Sequence, residues 1–211
     1  MRSIALVVPC MLMLCVTAGA DVLHLNFDPN DPTAGGGGTS IYGPPGSQGY
    51  HCYGVAFTTP SDGPYALDSI DLVLFGDGAA IVSLCSDDNG LPNNASPLTY
   101  LILTPAAPPE TITSADFGQS YVMVGDTKYW VLVEKDGSDD NSLGWTNATQ
   151  SGENAYYCGC DDTESWGTSS TPWATQVTGT MVVPEPSTLV LLSLGGISLL
   201  LRRGREDRSA M

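Results

Sequence analysis

Between Val22 and Val183 no stretch of useful length carries apolar residues on a 3.6-residue period with helix caps. It carries short runs rich in β-branched and aromatic residues, each stopped by Gly, Pro, Asp or Asn. Runs of that kind place alternate side chains on opposite faces of a sheet. The spacing predicts an edge strand at 22–27 and further strands at 50–58, 65–75, 79–85, 97–104, 120–124, 128–134 and 173–183. The run 65–75 is the clearest, with Ala66, Asp68, Ile70, Leu72 and Leu74 on one face for most of its length. Gly76-Asp77-Gly78 after it reads as a hairpin-type turn. About nine to ten short strands in this length suggest an all-β fold, an antiparallel two-layer β-sandwich of jelly-roll-like type. Its expected core holds Leu72, Leu74, Val82, Leu84, Val131 and Val133.

Both ends of the chain read as targeting segments rather than as fold. Residues 1–20 have the order of a secretory signal peptide: Arg2, an apolar run over 4–16 broken by Pro9, then small Ala18-Gly19-Ala20. The mature chain is expected to begin at Asp21. The apolar run is too short to stay as a membrane span. Cys15 sits where a lipoprotein cysteine would, but Leu12-Met13-Leu14 before it lacks the small residues such a site prefers. At the other end, residues 187–201 carry no charge. As a helix those 15 residues would cover roughly 22 Å, short of the ~30 Å hydrocarbon core. Arg202, Arg203, Arg205 and Arg208 follow at once and hold that end in the cytoplasm. The expected organisation is therefore 1–20 signal peptide, 21–49 an N-terminal strand with a Gly/Pro-rich linker, 50–183 the sandwich, and 184–208 a tail with a short transmembrane helix. Gly35-Gly36-Gly37-Gly38 is the linker's centre and reads as a flexible connection.

Charge limits the partners. Residues 21–183 hold 20 acidic side chains against only Lys128 and Lys135, a net charge of −18. Such a body is repelled by nucleic acid and by anionic lipid, so no nucleic-acid partner is expected. Four cysteines remain after the signal, Cys52, Cys85, Cys158 and Cys160, an even number in an exported chain, and two disulfides are the expected state. A Cys158–Cys160 bridge would close a very small ring, so each of these two is expected to pair with one of Cys52 and Cys85. A four-cysteine zinc site with His51 is the sharper alternative, but the isolated Cys52 and Cys85 lack the paired knuckles of such sites.

No catalytic constellation stands out. The body has two histidines, His24 and His51, and no Gly-x-Ser-x-Gly elbow, so no catalytic residue is assigned and no enzyme is expected. The acidic loops at 87–90, 136–141 and 161–162 could offer oxygens to calcium, with Asp136, Asp139 and Asp140 the candidates. None has the Asp-x-Asp-x-Asp-Gly spacing, and turn chemistry with solvated charge is the preferred reading, so no cofactor is assigned. Tyr129, Trp130, Trp145, Tyr156, Tyr157, Trp166 and Trp173 cluster in the second half, and an exposed subset could stack sugars.

Pro184-Glu185-Pro186, then a short apolar helix, then arginines at the extreme C-terminus closely resembles the PEP-CTERM sorting signal. That resemblance implies recognition of Pro184, Glu185 and Pro186 by an exosortase, a membrane protease–transpeptidase of exopolysaccharide-producing Gram-negative bacteria. Arg202, Arg203 and Arg205 would be the membrane stop. The body, over Tyr50 to Thr180, looks like the choice-anchored extracellular domain of type R, a β-rich module found with such tails. Together these imply an exported, C-terminally sorted, non-catalytic protein of the cell surface or extracellular matrix, associated with exopolysaccharide. The alternative is a carbohydrate- or calcium-binding adhesion module with the same delivery; a secreted carbohydrate-active enzyme is the least favoured.

Overall fold

The computed structural model describes residues 19–43, 51–105, 111–137, 142–150, 154–158, 165–170 and 172–182, and it is all-β. Strands are β1 (Ala20–Leu25), β2 (Gly38–Ile41), β3 (His51–Thr58), β4 (Tyr65–Gly76), β5 (Ala80–Asp88), β6 (Leu91–Pro92) and β7 (Thr99–Leu103). They continue with β8 (Thr111–Asp116), β9 (Val122–Met123), β10 (Lys128–Lys135), β11 (Leu143–Thr146), β12 (Asn154–Cys158), β13 (Ser165–Ser169) and β14 (Thr175–Met181). They form two antiparallel sheets. The first runs β1-β14-β4-β11-β2, with β8 and β9 also on β4; the second runs β13-β12-β3-β10-β5-β6, with β7 also on β5.

The sheets face each other across one core. Ile41, Leu67, Ile70, Leu72, Leu74, Leu143, Trp145 and Val177 come from the first sheet; Tyr53, Val55, Phe57, Val82, Leu84, Tyr129, Val131 and Val133 come from the second. All six residues expected in the core are in it and fully buried. Alternation explains why. Tyr53, Val55 and Phe57 on β3 pair with Val133, Val131 and Tyr129 on β10, so every second residue of both strands points inward.

The two ends of β4 depart from simple alternation. Thr178 pairs with Ser69 and Gly179 with Leu67, which leaves Asp68 as an extra residue, a β-bulge. The bulge flips the phase of the strand. Tyr65 and Leu67 face the core before it, and Ile70, Leu72 and Leu74 after it. Ala66 and Asp68 therefore lie on the outer face, where Thr180 donates a hydrogen bond to Asp68 Oδ2 at 2.7 Å, and do not share the face of Ile70. At the far end, Gly76-Asp77-Gly78 is not a hairpin, because β4 and β5 belong to different sheets. The segment is a crossover from one layer to the other. Gly76 has φ +97°, and a Cβ there would lie 2.1 Å from the Ser142 carbonyl oxygen.

The N-terminal segment belongs to the sandwich. β1 is the edge strand beside β14, and β2 pairs with β11. The glycine run between them is a close-packed turn rather than a free connection. A Cβ on Gly35 would meet the Asn147 carbonyl oxygen at 2.1 Å, and one on Gly38 would meet the Phe75 ring at 2.5 Å. Asn147 donates its Nδ2 to the Gly36 carbonyl at 3.1 Å and its backbone amide to that of Gly37 at 3.2 Å. Asn26, buried at the end of β1, donates to the Trp173 carbonyl at 2.9 Å and accepts from the Thr175 amide at 2.7 Å. Those two bonds tie the first strand to the last.

His24 on β1 turns inward, 6.0 Å from the Phe57 ring, and its buried Nε2 has no hydrogen-bond partner. Burial holds its pKa below the ordinary 6.5. Above about pH 6.5 the ring is neutral in the folded and unfolded chain alike, and the full stability is present. As pH falls below that value, the unfolded chain takes up a proton that the folded chain refuses, so stability falls until the lower folded pKa is reached. The loss is expected to approach, and not exceed, about 1.4 kcal/mol per pH unit. Urea midpoints measured between pH 7 and pH 5 should drop for the native sequence and drop less for His24→Leu.

Candidate functional site

The end of the body from which the tail departs is built by local hydrogen bonding. Pro60 to Pro64 turn the chain from β3 into β4, and the Tyr65 hydroxyl closes the turn by donating to Asp62 Oδ1 at 2.6 Å. Thr59, itself buried, donates its hydroxyl to the Val124 carbonyl at 2.6 Å and accepts from the Thr127 amide at 3.1 Å. The Tyr129 hydroxyl accepts from the Val124 amide at 2.8 Å. These bonds fix the crossover from β9 to β10 against the turn that precedes β4.

β14 lies between β1 and β4 and ends here. Its Met181 pairs with Tyr65, and the Val182 amide then donates to the Pro64 carbonyl at 2.8 Å. One residue, Val183, separates Val182 from Pro184. The first strand starts at the same place, since Ala20 pairs with Thr180 and Asp21 with Gly179. Both ends of the described body therefore sit side by side on one edge of the first sheet. Around them Val22, Val122, Val124 and Val182 are exposed at 56%, 48%, 61% and 36%.

The expected sorting residues Pro184, Glu185 and Pro186 and the expected membrane stop Arg202, Arg203 and Arg205 lie outside the described residues, as do the signal segment 1–18 and the apolar stretch 187–201. Among the described residues no helix is long and apolar enough to cross a membrane. Of the calcium candidates, Asp136 follows β10, where its amide donates to the Ala79 carbonyl at 2.8 Å; Asp139 and Asp140 lie outside the described residues. No cluster of three or more His, Cys, Asp or Glu suited to a metal occurs among the described residues.

The loop at 87–90 has a structural task. It is the tight turn between β5 and β6, and Asp87 is its anchor. Asp87 accepts from the Trp130 indole N–H at 2.7 Å and from the Gly90 amide at 3.0 Å, with Lys128 Nζ at 3.5 Å. Partial burial works to raise the Asp87 pKa, and these three donors outweigh it and hold the carboxyl below its ordinary value. Lys128 also lies over the Trp130 ring, 5.0 Å from its centroid. The pattern was hidden in the sequence, because only pairing of β10 with β5 brings residues 87, 128 and 130 together.

The disulfide expectation fails at Cys85. Its thiol is free, and burial first, then the charge of Glu134, pushes its pKa up to about 12. Geometry explains the absence of a bridge. Cys85 and Ala56 both pair with Trp130, and Cys52 lies four residues before Ala56. Two strand spacings and that offset put the Cα atoms of Cys52 and Cys85 roughly 17 Å apart, against a disulfide limit of about 7 Å. Cys158 is opposite His51 on the far side of β3, which puts its Cα roughly 22 Å from that of Cys85. Cys160 lies outside the described residues. Cys85 serves as a small apolar residue, packed with Ala56, Trp130 and Leu132.

The aromatics are mostly structural. Trp145, Trp173, Trp130 and Tyr129 are at most 3% exposed, so none offers a face to a sugar. Trp145 and Trp173 stack at 5.7 Å, and Tyr53 from the opposite sheet meets Trp173 at 4.9 Å. Trp166 is half-buried against the Trp130 cluster. The side chains of Tyr156 and Tyr157 lie outside the described set.

Comparison with known proteins bears on the tail. Residues 182–205 match the family described as the PEP-CTERM protein-sorting motif. The match begins at Val182, the last described residue, whose amide bonds the Pro64 carbonyl. No curated protein and no solved structure matches the chain. The motif is a sorting signal and implies processing by an exosortase, a membrane enzyme.

Proposed function

We propose that this chain is an exported, C-terminally sorted protein whose jelly-roll-like body is a non-catalytic component of the cell surface or extracellular matrix. The sorting motif, starting where the last strand ends, is the observation that carries the reading. Delivery runs in three steps. A signal segment takes the chain out of the cytoplasm, the apolar stretch 187–201 with Arg202, Arg203 and Arg205 holds its end in the membrane, and an exosortase acts near Pro184-Glu185-Pro186. The body would then be released to, or joined to, the outer surface of a Gram-negative cell. Its net charge of −18 suits a hydrated, mutually repelling surface protein. Association with exopolysaccharide belongs to the same proposal; it rests on the likeness of the tail to a sorting signal of exopolysaccharide-producing bacteria, and the family comparison matches the tail and not the body.

Intact mass decides the central step. The protein is isolated from its native host as membrane and released fractions and weighed. Loss of everything from near Pro184 onward is the expected result. A released protein that still carries Arg202 to Met211 would reduce the tail to a simple anchor and end the sorting reading.

A further inference from the structure

Resting on the sorting reading, we infer that the valine-bearing end of the first sheet is a docking surface for the processing enzyme. Four residues, Val183 to Pro186, separate the last described residue, Val182, from the uncharged stretch that begins at Ser187. Fully extended, that connection reaches about 14 Å. The headgroup layer takes up roughly 6 Å of it. The remainder is too short for the body to stand clear of whatever surrounds the tail.

The side chains at this end suit a protein partner. Val122 and Thr180 flank Ala66 from opposite sides, so the three share one row on the outer face. Val124 and Val182 lie two residues further on along the same two strands' paths, and Val22 sits opposite Thr178 one row back. These four make up half of the large apolar residues found exposed among the described residues, gathered where the chain leaves for the membrane. Asp68 lies on the same face, bonded to Thr180, and Asp21, Asp62 and Asp126 sit at the same end of the body, Asp21 and Asp62 beside Tyr65 and Asp126 in the turn bonded to Thr59 and Pro60. Of the two lysines in the body, Lys128 is engaged by Asp87 on the second sheet, and Lys135 lies at the opposite end of β10. An apolar patch at so acidic an end of the body is repelled by anionic headgroups. It fits a patch of apolar side chains rimmed by lysine or arginine, which is the chemistry we assign to the extracytoplasmic face of the enzyme.

The test uses the full-length chain in a host that processes it, with the enzyme carrying an epitope tag. Val122→Lys and Val124→Lys are made together. Both positions are about half exposed, so the thermal midpoint should stay unchanged. Tail removal, followed by pulse–chase, is expected to slow about tenfold, as a loss near 1.4 kcal/mol of docking would give. A photo-crosslinking residue at position 124 is expected to trap the tagged enzyme. An unchanged rate of removal in the folded double variant would overturn the proposal, and so would an adduct with lipid alone, which would assign this end to the bilayer. If the unmodified chain itself keeps its tail, the sorting reading has failed instead, so the two failures are told apart.

Discussion

Glu185→Gln is expected to leave the tail on most molecules of a chain that is otherwise exported and folded. Pro184 and Pro186 each have a φ fixed by the ring, and the residue before a proline is held away from the helical region. Glu185 stands between them, so the motif presents one carboxylate on a segment with little conformational freedom to lose on binding. A carboxylate in a binding site accepts charge-assisted hydrogen bonds worth about 1.5–3 kcal/mol. Glutamine keeps the shape and loses the charge, which predicts processing slower by roughly ten- to a hundredfold. Pro184→Ala or Pro186→Ala frees one angle each, at about 0.4–1 kcal/mol, and predicts only about a two- to fivefold loss. Arg202→Ser, Arg203→Ser and Arg205→Ser together act differently, by removing the charges that stop the tail in the membrane. That variant is expected to shed intact chain into the medium. Pulse–chase with an antibody to the last residues separates the three. Equal processing of Glu185→Gln and the native chain would remove the carboxylate from the recognition argument.

The strands that could be read from sequence are those rich in β-branched and aromatic residues. β3, β5 and β10 are buried on both faces over most of their length, one face in the main core and the other around Trp130, and as such runs their positions were legible to within a few residues. β8 was not legible. It is a strand of Thr, Ile, Thr, Ser, Ala and Asp that closes the side of β4, and of its residues only Ala115 enters the main core cluster. β11 has four residues, too few for a period to show, although it carries one of the largest buried side chains, Trp145. Along β4 the period itself was misleading. One extra residue at Asp68 shifts every face assignment before it, and no residue type announces a bulge.

Turn residues say that a chain changes course and not where it goes next. Gly76-Asp77-Gly78 has hairpin composition, yet it carries the chain between layers, because β11 and not β5 lies beside the end of β4. Four glycines in a row have linker composition, yet the outer two, Gly35 and Gly38, let Asn147, Trp145 and Phe75 come close, and the inner two take positive φ. The cysteines show the same limit from another side. Export argues for bridges, and only strand register reveals that Cys85 is too far from Cys52 and Cys158 to make one. For the site, the tail motif was fully legible because its information is in residue order. The valine end was not, since Val22, Val122, Val124 and Val182 are scattered in sequence and meet only through the pairing of β1, β4, β9 and β14.

Trp145→Ala is expected to cost a large share of the stability of the body, and the size of that loss separates two roles for the aromatic residues. A tryptophan that stacks a sugar stands at the surface, and its removal weakens binding with little effect on folding. Trp145 is fully buried in β11, stacked on Trp173, with its indole N–H donated to the Ala174 carbonyl at 2.9 Å. Truncation leaves a cavity that the neighbouring β2 and β4 cannot fill without moving, and it leaves the Ala174 carbonyl with only the longer bond from the Val73 amide at 3.4 Å. Large-to-small changes at such aromatic sites cost about 3–5 kcal/mol. The whole stability of a domain is of order 5–15 kcal/mol, so the variant should be largely unfolded under mild denaturant. Trp145→Phe keeps much of the volume and loses the hydrogen bond, and should fall between the two. Trp166, half-buried on the outer side of the second sheet, should lose markedly less on truncation to alanine. Urea midpoints at constant slope report all three changes. A Trp145→Ala protein as stable as the native one would mean that the ring is not in the core, and the sugar-platform reading of this residue would return with it.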